Sequence, residues 1–177
     1  MAYTSCAAIS LASIDARCDA SIGGIKRILI AQKDDVTDVT LNNTTGIITA
    51  ITMASGKKFQ QWLFRRNTGS YTSTSTSDAT IGNNSVTTEV NLQFSKAEAE
   101  KRLNIQSAIN ANAVVIVEDA YGQFVYLGYD NEVTITNAVM QSGTATADLS
   151  GFTLTFTDES AELPHFVDST IINGIIA

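Results

Sequence analysis

The chain is predicted to be mainly β: two packed antiparallel sheets, a sandwich or partial barrel, with one flanking α-helix. Three observations carry that expectation. Short alternating runs recur, the clearest placing Val86, Thr88, Val90, Leu92 and Phe94 on one face and Thr87, Glu89, Asn91 and Gln93 on the other. Glycine and asparagine turn signals separate such runs. Only one stretch has strongly helix-forming composition. About eight to ten strands with a single helix make a two-layer antiparallel architecture.

Taken in order, residues 3–21 are rich in small side chains and compatible with a short helix or an extended arm. Gly23 and Gly24 end that segment before an apolar strand over 25–31. Residues 33–45 (KDDVTDVTLNNTT) are acidic and then Asn- and Thr-rich, which reads as a loop or loose hairpin. Residues 47–53 and 58–66 read as two strands joined at Gly56 into a hairpin, the second carrying Phe59, Trp62 and Phe64. After the alternating strand 85–94, Ser95 and Glu98 have capping-box spacing, with Ser95 as N-cap of a helix running to Asn110. Its apolar stripe is Ile105, Ala108 and Ile109, narrow enough to lie outside a sheet.

Beyond it, Ala113, Val114, Val115, Ile116 and Val117 are apolar on both faces. A turn through Glu118, Asp119 and Gly122 leads to a return strand through Phe124, Val125, Tyr126 and Leu127. Residues 132–140 alternate again, and Phe152, Leu154 and Phe156 share one face of a further strand. Residues 158–164 read as an acidic linker. The terminal Phe166, Val167, Ile171, Ile172, Ile175 and Ile176 are too hydrophobic for a free tail, so they pack on the core or on a neighbouring subunit.

Residues 67–84 stand apart. Ser70, Tyr71, Thr72, Ser73, Thr74, Ser75 and Thr76 form a hydroxyl-rich run with β propensity but little apolar surface. Ordering a residue costs on the order of 1–2 kcal/mol, which such side chains do not offset alone. The run is therefore expected to be a polar arm, a hairpin extension or loop lying on a neighbouring subunit. On that expectation, replacing residues 70–77 by a Gly-Ser linker weakens assembly and spares the monomer. The candidate subunit contacts are these seven residues together with Ile172, Ile175 and Ile176. The chain reads as one domain over 1–177, with the arm at 67–84 and a C-terminal segment at 158–177.

Composition excludes several classes. Of 177 residues 44% are hydrophobic and 16% charged, and the net charge is -7. The basic residues are scattered in pairs rather than clustered, which argues against stable nucleic-acid binding. No stretch approaches the ~20 apolar residues of a membrane helix. The N-terminus has no basic region ahead of an apolar one, so cytoplasmic synthesis and assembly are expected. Cys6 and Cys18 are read as free structural thiols.

Catalytic chemistry is not expected. His165 is the only histidine and has no nucleophile near it in sequence. Glycine-rich phosphate loops and nucleophile elbows are missing from the sequence. Glu118 with Asp119 reads as turn chemistry rather than a glycosidase pair. Asp34, Asp35 and Asp38 lack the central glycine and distal glutamate of a calcium loop. No cofactor or metal is expected.

Taken whole, the order of strand, acidic loop, hairpin, polar arm, alternating strand, capped helix and short strands through Asp148, Leu149, Ser150, Gly151 and Phe152 resembles the tail tube proteins of tailed bacteriophages and of related contractile injection machines. Val115, Ile116, Val117, Glu118 and Asp119, with Gly122, Gly128 and the run from Thr144 to the Phe152 strand, resemble virion proteins of phages that infect Bacteroides-type hosts. The resemblance implies a homo-oligomeric, hexameric ring that stacks into a tube in the virion, with other virion proteins as partners. It implies DNA only in passage through the lumen, and no membrane. A neck or head–tail connector ring, or a capsid decoration protein, would share this pattern. So would a non-viral β-sandwich binding module, whose signature would be Tyr121, Tyr126 and Tyr129 exposed beside Asp119 and Asp130.

Overall fold

Apolar residues on both faces of one central strand require a layer on each side of it, and the fold supplies both. The computed structural model describes residues 13–14, 22–78, 83–145 and 148–177, with Cys6 and Cys18 outside them. A seven-stranded sheet contains β1 (Ile25–Gln32), β2 (Val36–Asn42), β3 (Ile47–Met53), β4 (Gln60–Leu63), β7 (Ala113–Asp119), β8 (Phe124–Leu127) and β11 (His165–Val167), in the order β2-β3-β11-β8-β7-β1-β4. A four-stranded sheet contains β5 (Gly69–Asp78), β6 (Asn83–Ser95), β9 (Thr134–Gln141) and β10 (Gly151–Ser160), in the order β5-β6-β10-β9. Two helices complete the described chain, α1 (Ala99–Ile109) and α2 (Ser169–Ile175). Every strand pair is antiparallel except β3 with β11. The expected sandwich with a flanking helix is therefore present, and neither sheet closes into a barrel.

The first core lies between the sheets. Val90, Leu92 and Phe94 from β6 and Phe152, Leu154 and Phe156 from β10 meet Ile28, Ile30, Val115, Val117, Val125 and Leu127. Ile25 reaches this same core despite its odd spacing from Ile28, because the register shifts between Ile25 and Arg27. Trp62, opposite Ile28 in register, packs edge-on against Phe94 at 5.8 Å and Phe156 at 6.1 Å. Ile105 and Ala108 of the predicted stripe are the buried residues of α1, whereas Ile109, its third member, is exposed.

The second core lies on the other face of the seven-stranded sheet. Leu29, Val114, Ile116, Phe124 and Tyr126 face α2, which contributes Ile172 and Ile175. This explains the continuous apolar run of β7, each alternate residue of which serves a different core. Phe59 donates its N–H to the Ile175 carbonyl at 2.9 Å, and the Ala177 N–H donates to the Phe59 carbonyl at 3.0 Å. Ile175 and Ala177 are thereby tied to Phe59.

Several expectations are corrected. Residues 47–53 and 58–66 form no hairpin: β3 pairs with β2 and β11, whereas β4 crosses to β1. The acidic 33–45 stretch is a 3₁₀ turn, Lys33–Asp35, followed by strand β2, since Val36, Val39 and Leu41 gain cover from the second core. Ser95 does not cap a helix. It ends β6, Lys96 takes a left-handed turn at φ 67°, and α1 starts at Ala99 without a side-chain cap. Pairing of Ser95 with Gly151 holds that residue in the sheet, so the local capping signal loses to a ladder of ten pairs. The supposed linker 158–164 begins as strand, because β10 continues to Ser160 opposite Val86.

Gly151 makes that register possible. A Cβ there would lie 1.9 Å from the Phe94 carbonyl oxygen, so no larger residue fits without moving β6.

Candidate assembly surface

The polar run does not need another subunit to become ordered. All ten residues of β5 pair with β6, from Gly69 opposite Leu92 to Asp78 opposite Asn83. Gly69 lets the strand enter close to Ile25 and Phe64, whose side chains would lie 2.7 and 2.8 Å from an added Cβ. Tyr71 packs against the first core, and burial, then Asp119, pushes its phenol above the ordinary tyrosine range. Ser73 lies 2.8 Å, hydroxyl to hydroxyl, from fully buried Thr88. The expected unanchored arm is thus the outer strand of the chain's own sheet, because in-chain backbone pairing supplies what its side chains lack. Residues 79–82, at the tip of the predicted arm, fall outside the described residues.

Of the two readings of the C-terminal apolar residues, packing on the core holds for Ile172, Ile175 and Ile176, so they are not free to be subunit contacts. Ile172 and Ile175 are buried beneath the seven-stranded sheet, and Ile176 is half-buried against them. They face inward because α2 returns to the second core instead of projecting outward.

Ser70, Thr72, Thr74 and Thr76 are exposed on one side of β5, and toward its far end Ser75 and Ser77 are exposed on the other. The first four form a row along the strand. They continue onto the outer face of the four-stranded sheet. Beside them come Thr87, Glu89, Asn91 and Gln93 of β6, Thr153, Thr155, Thr157 and Glu159 of β10, and Thr134 and Thr136 of β9. Short hydrogen bonds join the rows, from Thr155 Oγ1 to Asn91 Oδ1 at 2.7 Å and between the Thr136 and Thr157 hydroxyls at 2.8 Å. The face carries carboxylates at Glu89 and Glu159 and, among the described residues, no lysine or arginine. The alternation of β6 already predicts its polar row. The rows of β9 and β10 become neighbours only through pairing.

Both edges of this sheet are open. β5 bears its one charge at terminal Asp78, and β9 (TITNAVMQ) bears none. Neither contains proline or lysine, the usual guards of a free edge. On β9, Val139 and Met140 are exposed, Met140 by 62%.

At one end of the first core the inward positions turn polar. Asp158, opposite Thr88, is only 2% exposed, and its Oδ1 has no hydrogen-bond partner. Burial raises its carboxyl above the ordinary range, opposed by a hydrogen bond from the Gly128 backbone. Nearby Asp130 adds to the rise and Lys33 opposes it. The Lys33 ammonium itself donates to the carbonyls of Gly128 and Tyr129.

The remaining candidates separate. Tyr126 is buried, so the expected trio of exposed tyrosines is broken, leaving Tyr121 and Tyr129. Burial raises the Tyr126 phenol far beyond its usual value. Tyr129 packs edge-on to His165 at 5.0 Å. Glu118 is held by Arg27 and Lys26, while the Asp119 carboxylate accepts the Gln123 N–H at 2.7 Å across the turn. Asp35 pairs with Lys57 at 3.2 Å. Among the described residues no group of three or more His, Cys, Asp or Glu is placed to hold a metal ion. Searches of protein-family models, curated proteins and solved structures find no match to this chain.

Proposed function

We propose that the chain is a structural virion subunit that joins its four-stranded sheet edge to edge with copies of itself. The result is a ring of the tail tube kind, hexameric by that resemblance and stacked into a tube. β5 of one copy pairs with β9 of the next, a heterologous contact that closes by rotation. The observation that carries the reading is the outer face of this sheet, which is hydroxylated, weakly acidic and without a cation. Turned inward, such a face lines a channel that repels the phosphates of passing DNA. The two unguarded edges flanking that same face support the reading independently. In this reading the chain is not an enzyme and needs no cofactor.

The test is negative-stain electron microscopy with analytical ultracentrifugation of the purified, concentrated chain. Rings or tubes are expected, and Thr74→Lys on β5 or Asn137→Lys on β9 should disperse them while leaving the thermal midpoint nearly unchanged. Rings that never stack would favour a neck or connector ring or a decoration protein. A chain that stays monomeric, and is monomeric within its native particle, refutes self-assembly.

A further inference from the structure

The seven-stranded sheet also has a free edge, at β4, in a different sheet from the edges just described. Residues of β4 and α1 line a groove made of two cavities, about 150 and 470 Å³, which share Trp62 and Asn104. The smaller is apolar, with Trp62, Leu63 and Ile105 in its walls. The larger runs past Gln60 and Gln61 to Lys57 and Lys58. Leu63, in the wall of the smaller cavity, is 64% exposed, and Leu103 on α1 is 61% exposed. β4 itself (QQWL) has no charge or proline to block an added strand.

The chain holds an occupant of matching chemistry. Twenty-one residues precede Ile22, and they include Ile9, Leu11 and Ile14 followed by Asp15 and Asp19. Ile14 is 98% exposed, so among the described residues nothing buries it. Ile22 is 59% exposed and lines a cleft with Phe64, just beyond the end of β4. From there the seven residues 15–21 span up to about 23 Å when extended, at ~3.3 Å each, enough to leave the parent molecule.

We propose that the N-terminal segment of one copy docks in the β4–α1 groove of a neighbouring copy. It lies along the free edge of β4, with an apolar side chain in the pocket beside Trp62 and its aspartates toward Lys57 and Lys58. The proposal rests on the self-assembling reading above, but it uses a different surface.

Trp62 is the only tryptophan and forms one wall of the groove, so its emission reports occupancy. A chain beginning at Ile22 is titrated with a synthetic peptide of residues 1–21 while Trp62 fluorescence is followed. A saturable blue shift is expected, and Leu63→Glu should weaken it by about tenfold or more. In the full-length chain the same shift should appear only as concentration drives association. An unmoved spectrum overturns the proposal. So does a full-length monomer whose spectrum already matches the saturated one, since the segment would then occupy its own groove. If the shortened chain does not fold, full-length Ile14→Asp and Leu63→Glu take its place. Both should weaken association in ultracentrifugation, and unchanged association overturns the docking. Rings formed by a shortened chain that ignores the peptide sink the docking and leave the ring reading standing. Peptide binding and open strings of copies, without rings, do the reverse.

Discussion

The hydroxyls of Ser73 and Thr88 lie 2.8 Å apart on the buried side of the four-stranded sheet, one on its edge strand and one on the neighbour that edge pairs with. A buried hydroxyl without a partner costs roughly 1–3 kcal/mol. Each of these residues therefore makes the other tolerable where it is. The contact also makes β5 part of the monomer, which reverses the expected outcome of removing it.

Replacing residues 70–77 by a Gly-Ser linker should destabilise the isolated chain, because β6 loses its ladder and the first core loses Tyr71. Tyr71→Ala alone should cost about 1–2 kcal/mol, the burial of half an aromatic side chain. Thr72→Ala, on the outer side, should cost less than about 0.5 kcal/mol. Urea unfolding of the three variants checks the order, and a fully stable linker variant would show that β5 is dispensable to the fold.

Gly151→Ala should be among the most damaging single changes in the chain. The added methyl would meet the Phe94 carbonyl at 1.9 Å, backbone against side chain, so β6 and β10 must part. A loss above about 3 kcal/mol is expected. Circular dichroism melts should show it directly, whereas Gly23→Ala, with nothing within 4 Å, should melt like the parent.

Ile172→Ala should open a cavity in the second core and cost about 2–5 kcal/mol, the usual range for a buried isoleucine. Ile171→Ala, at a half-buried neighbour, should cost clearly less. If the two cost the same, α2 does not pack as described. Asp168 starts this helix by accepting from the Thr170 N–H at 2.9 Å and its hydroxyl at 2.7 Å, so Asp168→Ala should loosen the same core.

Asp158 gives a pH dependence with a definite sign. Its folded-state carboxyl is raised above the value of the unfolded chain, so the folded state binds the extra proton. Its part in stability therefore falls as pH rises from the ordinary aspartate value through the raised one, and a penalty remains at neutral pH. Asp158→Asn should flatten that slope and bring the neutral-pH midpoint closer to the acidic one. Thermal melts between about pH 3.5 and 7.5 measure it, and an unchanged slope would mean that Asp158 is solvated.

The sequence by itself determined most of the strands and which of their faces are apolar, though not β2 or the end of β10. Val86 to Phe94 and Phe152 to Phe156 needed only the period of two, because a strand exposes alternate sides whatever its partner. The run from Ala113 to Val117 was likewise legible as apolar on both faces, while the two cores it serves came only with the structure. Partnership was decided only in three dimensions. Local spacing cannot say that Gln60–Leu63 crosses to β1 while Ile47–Met53 stays with β2, nor that the hydroxyl run is held by β6. Ser95 and Glu98 carry a sound helix-start signal, yet ten sheet pairs outweigh one cap. Asp158 looked like linker chemistry, and the continuation of β10 buried it. The polar face and its open edges belong to the same division: composition supplies the threonines, but only the order β5-β6-β10-β9 gathers them on one surface with no cation among its described residues.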